Sequence, residues 1–124
     1  MLPYKFFNNY PSYDAADVFY VRIDPGISLS EELLRSLYYL LWFPGYFGFN
    51  WDALYDCLRD LGWIPCRKIV LVHEVLPNLP EKDLKIYLEI LRDSIFDLKD
   101  NQEYKLEVFF RYTDKCMIEN ILKK

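Results

Sequence analysis

The chain carries one histidine, His73, and three cysteines, Cys57, Cys66 and Cys116, none of them in a CxxC pair. An odd number of unpaired cysteines argues against a disulfide framework, and the missing Cys/His spacing argues against a zinc site. Cys57 falls among leucines and reads as a small core residue. Acid–base chemistry has only His73-Glu74, at the end of a strand, to draw on. With no companion His and no serine motif, a satisfied structural histidine is the simpler reading. A basic excess is also absent: 15 Lys and Arg face 19 Asp and Glu, for a net charge of −4. Direct nucleic-acid binding calls for a basic stripe, whereas an acidic chain suits a basic protein partner. No stretch approaches the ~18 apolar residues that span a membrane. The start, Met1-Leu-Pro-Tyr-Lys-Phe-Phe7, lacks the charged head and apolar run of a signal peptide. The expected setting is a reducing cytoplasm, without membrane contact. Phe43-Pro-Gly-Tyr-Phe-Gly48 lacks the spacing of a phosphate-cradling loop. Repeats and low-complexity segments are absent too, and no cofactor or metal is implied.

What is present is a core. Of 124 residues, 52% are hydrophobic and 19% aromatic, and tyrosine supplies 11 of the rings. Residues 1–124 are long enough for one domain and too few for two. Val18–Ile23 is a β-rich run closed by the turn signal Asp24-Pro-Gly26. Ser28-Leu-Ser-Glu31 has capping-box form, and Leu33, Leu34, Leu37, Tyr38 and Leu41 follow at helical spacing until Pro44 and Gly45. Asn50 is a good N-cap for a second helix ending at Gly62. Lys68–His73 reads as a strand buried on both faces. Leu84, Leu88, Leu91, Ile95 and Leu98 predict a long amphipathic helix to about Asp100. Lys105–Tyr112 is a last strand. Residues 1–16 are an irregular aromatic arm with a short extended piece at Tyr4–Phe7, and residues 113–124 form a tail with a short helix. Strands linked by helices tend to be parallel. The predicted fold is α/β: a three-stranded parallel sheet packed with about three to four helices.

The richest segment is Pro44–Leu58. The helix after Asn50 places Asp52, Asp56 and Asp60 four residues apart, so each trails the one before by only ~40° around the axis. Leu54, Cys57, Leu58 and Leu61 fall on the opposite side. A solvated face is the plain reading of such a charge run. Against it, aspartate is a mediocre helix former, aligned like charges cost roughly 0.2–0.5 kcal/mol per pair, and only Arg59 offers nearby compensation. A row of carboxylates with aromatics at its shoulder imitates nucleic-acid phosphates. It points to a partner that ordinarily binds RNA or DNA. Trp51 lies at the boundary of ridge and core, equally suited to packing or contact. Gly48 serves a positive φ, a close partner approach or an ordinary turn.

Pro44, Tyr46-Phe47, Gly48, Asn50, Asp52-Ala53-Leu54, Tyr55 and Asp56-Cys57-Leu58 together resemble the signature of the barstar family, small cytoplasmic inhibitors of secreted ribonucleases. Outside this motif the likeness lies in element order, over roughly residues 18 to 112. The resemblance implies a non-enzymatic immunity protein that plugs the active site of a toxin nuclease. It implies that Tyr46 and Tyr55 contact the enzyme and that Asp52 and Asp56 meet its phosphate-binding Arg, Lys and His residues. It implies a further acid from the long helix, here Asp93. Three features depart from the pattern: Phe49 where an acid is usual, Tyr55 where Trp is usual, and the added termini.

The candidate partner-binding residues are therefore Tyr46, Gly48, Asn50, Trp51, Asp52, Tyr55, Asp56, Asp60 and Asp93. The expected partner is a cognate basic nuclease toxin, bound 1:1 by a monomer. Two other readings remain: an interaction module for a basic protein that is not a nuclease, and an enzyme built around His73.

Overall fold

A computed structural model describes residues 2–9, 17–99 and 104–124. Among these residues the elements in order are β1 (Lys5–Phe7), β2 (Val18–Ile23), α1 (Ser30–Leu40), α2 (Trp51–Leu58), β3 (Lys68–His73), α3 (Glu81–Leu98), β4 (Lys105–Arg111), a 3-10 turn (Tyr112–Asp114) and α4 (Lys115–Lys123). The strands form one sheet in the order β1-β4-β3-β2, and every neighbouring pair is parallel.

Four strands stand where three were expected. The fourth is β1, whose three residues are too few to show an alternation and sit inside what the sequence presents as an irregular arm. It is pinned across the sheet: Lys5 Nζ lies 3.1 Å from Glu107 Oε1, and the Arg111 guanidinium lies 5.3 Å from the Phe7 ring centre. The part of the arm at residues 10–16 lies outside the described residues.

The central strands β3 and β4 are buried on both faces, which explains their unbroken apolar runs. On one face Ile23, Ile69, Leu71, Val108 and Phe110 meet leucines and isoleucines from all four helices. On the other, Phe7, Val70, Val72 and Phe109 form a smaller cluster. Glu107 is also buried, and lies between Lys5 and Lys68, the latter 3.3 Å from Oε2. Burial alone would raise its carboxyl pKa, but hydrogen bonds and charge from the two lysines outweigh this and hold it below the usual value.

Helix ends depart from expectation in ways that shape the site. The box at the start of α1 shifts by one residue: Glu32, not Glu31, accepts the amides of Leu29 and Ser28, at 3.1 and 3.2 Å. Helix α1 stops at Leu40, before Pro44, because Trp42 turns left-handed at φ 56° while the Phe43 amide reaches back to the Tyr38 carbonyl. Leu61 does the same beyond α2 at φ 55°, ahead of Gly62. None of the four glycines has a positive φ. Among the described residues the left-handed positions belong to Trp42, Phe49 and Leu61, at about 1 kcal/mol or more of strain each.

Candidate partner-binding face

Local chemistry builds α2 and its leading loop as a unit. Asn50 Oδ1 accepts the Ala53 amide at 2.8 Å and closes the helix start. Leu54, Cys57 and Leu58 are buried, so the opposite side must face out. Asp52, in the first turn, suits the positive end of the helix dipole and has no ion-pair partner among the described residues.

The loop before it rests on stacked rings. Phe47 is buried, with its ring centre 4.9 Å from Phe43 and 5.0 Å from Phe49. Trp63 braces the same loop by donating its indole N–H to the Leu41 carbonyl at 2.9 Å. The Phe47 amide bonds the Pro44 carbonyl at 3.0 Å, so Gly45 and Tyr46 sit at the tip of a tight turn. Tyr46 is consequently 77% exposed. A ring held outward on a stacked base is prepared for contact at little entropic cost.

The positive-φ role considered for Gly48 does not hold, since the left-handed residue is its neighbour Phe49, at φ 53°. A Cβ on Gly48 would lie 3.1 Å from Asn50 Nδ2, so the glycine leaves room for the capping amide. Phe49, at the position where an acid was expected, packs on Tyr38 at 5.1 Å and lies beneath the Arg35 guanidinium at 6.0 Å.

Asp52 and Asp56 share the exposed face of α2, and Asp56 is 73% exposed. The third member of the expected ridge does not continue the helix. Asp60 lies beyond the C-cap Arg59, and its carboxylate takes the Gly62 amide at 3.2 Å. The reason is the left-handed Leu61, which ends the helical path early. Trp51 leans inward, half-buried, with its ring centre 6.2 Å from Tyr87 of α3.

The face widens onto α3. Tyr55 donates its hydroxyl to Asp97 Oδ2 at 2.7 Å, and this bond raises the phenol pKa above its ordinary value. Asp93 lies close enough to add to that shift, and is itself paired with Arg92 Nε at 3.0 Å. Asp97 escaped the sequence reading. Its signal was available, because Glu89, Asp93 and Asp97 repeat the four-residue spacing of Asp52 and Asp56 on a second helix. Arg59 sits at the junction, 2.7 Å from Asp56 Oδ1 and stacked 4.0 Å over the Tyr55 ring.

The face has acceptors for cations and rings for apolar or base-like contacts, and among the described residues no nucleophile with a neighbouring base. His73 is fully buried. Nδ1 faces the Phe109 carbonyl at 3.1 Å, which can only accept, so Nδ1 carries the proton. Nε2 then accepts the Tyr87 hydroxyl at 2.6 Å. Burial pushes its pKa down to about 4, leaving a neutral ring stacked on Phe110. Among the described residues no group of three or more His, Cys, Asp or Glu is arranged to hold a metal ion, and no helix is long and apolar enough to cross a membrane.

The family model described as Barstar (barnase inhibitor) matches residues 18–111, which run from the start of β2 to the end of β4 and include the whole of α2. No curated protein and no solved structure matches the chain.

Proposed function

The chain belongs to the barstar family of barnase inhibitors, and we propose that it is an immunity protein that neutralises a toxin nuclease, a ribonuclease, by occupying its active site. A ribonuclease must gather cationic groups to hold phosphate and stabilise transition-state charge. Carboxylates on a rigid helix satisfy the same groups through charge-assisted hydrogen bonds. Asp52 and Asp56 are the central anions in this reading, with Asp60, Asp93 and Asp97 around them. Tyr46, Trp51 and Tyr55 supply the aromatic contacts, and Gly48 and Asn50 shape the loop and cap that present them. The protein acts by binding and not by catalysis, as a cytoplasmic monomer in a 1:1 complex.

The observation that carries this reading is the pairing of exposure with rigidity at α2. Asp52 and Asp56 face out from a helix whose start is capped by Asn50 and whose back is anchored by Leu54, Cys57 and Leu58. Carboxylates that merely solvated a surface would need neither the cap nor the stacked loop beside it.

The test is affinity capture from the native cell with wild type and an Asp52→Ala/Asp56→Ala variant of equal melting temperature. The expected catch is a basic protein with ribonuclease activity, retained by wild type alone and released by competing RNA. Equal retention by both baits would reduce the ridge to a solvated face. A basic protein without nuclease activity would favour the broader role of an interaction module.

A further inference from the structure

We propose that Arg59 is a built-in counter-cation that screens Asp56 and thereby selects which cations a partner can place there. The inference rests on α2 being the partner-binding face and goes on to assign unequal roles to its two carboxylates.

Arg59 is held from several sides. Its Nη2 lies 2.7 Å from Asp56 Oδ1, and its Nε is 3.4 Å from the Tyr55 carbonyl and 3.9 Å from Asp97 Oδ2. Its guanidinium carbon sits 4.0 Å from the Tyr55 ring centre, a cation–π distance. Tyr55 is in turn fixed by its bond to Asp97, so the guanidinium rests on a braced platform.

This arrangement occupies one oxygen of Asp56 and leaves Oδ2 without a partner among the described residues. A guanidinium arriving from a partner gains most by forking onto both carboxylate oxygens. At Asp56 it finds one already taken and meets a like charge beside it. An ammonium is a point charge that needs a single oxygen. Asp56 therefore accepts an ammonium more readily than a guanidinium fork. Asp52, one turn earlier and without an ion-pair partner among the described residues, is open to both. The face thus asks a partner for a fork-forming cation at one place and a compact cation at the next. Such an arrangement excludes wrong partners by repulsion as well as by missing contacts.

The test compares octa-arginine and octa-lysine peptides on wild type, Arg59→Gln, Asp56→Asn and the Asp56→Asn/Arg59→Gln double variant, all with matched melting temperatures. Arg59→Gln is expected to tighten octa-arginine binding about fivefold at low salt, the scale of one like charge removed at contact distance in water. Octa-lysine is expected to gain less, and the gain should vanish in the double variant. Unchanged or weaker octa-arginine binding by Arg59→Gln would overturn the inference. So would equal gains for the two peptides, or no binding of either peptide by any variant. Because the peptides report on the face itself, a failure to inhibit nucleases would leave this result standing and would instead count against the proposed target.

Discussion

The Tyr55 hydroxyl reaches across from α2 to the Asp97 carboxylate at 2.7 Å, and this bond joins two helices that each carry aspartates four residues apart. The acidic face is therefore a surface of two rows, and Tyr55 is the rivet between them. The same bond fixes the ring on which Arg59 stacks. One phenol thus positions a cation and two acids in a face where the spacing of Asp52, Asp56 and Asp60 alone gives a single line of carboxylates.

The Tyr55 phenol should titrate above the ordinary tyrosine value, because its bond to Asp97 favours the protonated form. Asp97→Asn should bring it down toward that value. Tyrosine Cζ chemical shifts followed against pH measure both. With donor and acceptor exposed, the variant should cost less than about 1 kcal/mol of stability.

Asn50→Ala should destabilise the fold by about 1 kcal/mol in urea unfolding, the usual cost of losing a helix N-cap. Asn50→Asp should retain most of the stability, since its carboxylate can accept the same Ala53 amide. A full loss with Asn50→Asp would mean that the other side-chain bond, from Nδ2 to the Gly48 carbonyl at 3.4 Å, matters more than the cap.

Stability should fall between neutral pH and pH 5 because of His73. Its native pKa is about 4 against 6.5 for the free side chain, so below pH 6.5 the unfolded chain takes up a proton that the native state refuses. The contribution is absent above the unfolded value and grows as pH falls toward the native one. Its size is about 2 kcal/mol lost between pH 7.5 and pH 5. Urea unfolding at the two pH values measures it, and Tyr87→Phe, which strips Nε2 of its donor, should cost about 1–3 kcal/mol at pH 7.5.

The Glu107 cluster should respond asymmetrically. Glu107→Gln removes the buried charge and leaves Lys5 and Lys68, whose side chains reach solvent. Lys5→Met/Lys68→Met strips two ammonium partners from a buried carboxylate, a loss of about 1–3 kcal/mol. Denaturant midpoints of the two variants should differ accordingly, with the lysine double variant the weaker.

The ends of several elements could be read from sequence because strong local signals coincide there. Val18–Ile23 is closed by Asp24-Pro-Gly26, Lys68–His73 is an unbroken apolar run, and Asn50 caps the helix that its side chain predicts. Errors arose where tertiary packing overrode local preference. Pro44 and Gly62 are the helix stops that sequence predicts, yet Trp42 and Leu61 end those helices in left-handed conformations that bulky residues ordinarily avoid. No propensity announces that choice. The strand β1 gains its identity only from its neighbour β4. On the proposed face, the outward placement of Asp52, Asp56 and the Tyr46 loop is legible because motif and spacing fall in one short window. The placement of Asp97 and Arg59 is not, since it depends on how α2 and α3 meet.

The central claim, that the α2 carboxylates disable a nuclease by filling its active site, is tested most directly by titrating the purified captured nuclease with this protein in an RNA-cleavage assay. Wild type should abolish cleavage at one equivalent. Asp56→Ala should weaken inhibition at least about thirtyfold, the scale of a lost charged hydrogen bond of about 2 kcal/mol. Equal inhibition by wild type and Asp52→Ala/Asp56→Ala, or saturating binding that leaves cleavage untouched, would contradict it.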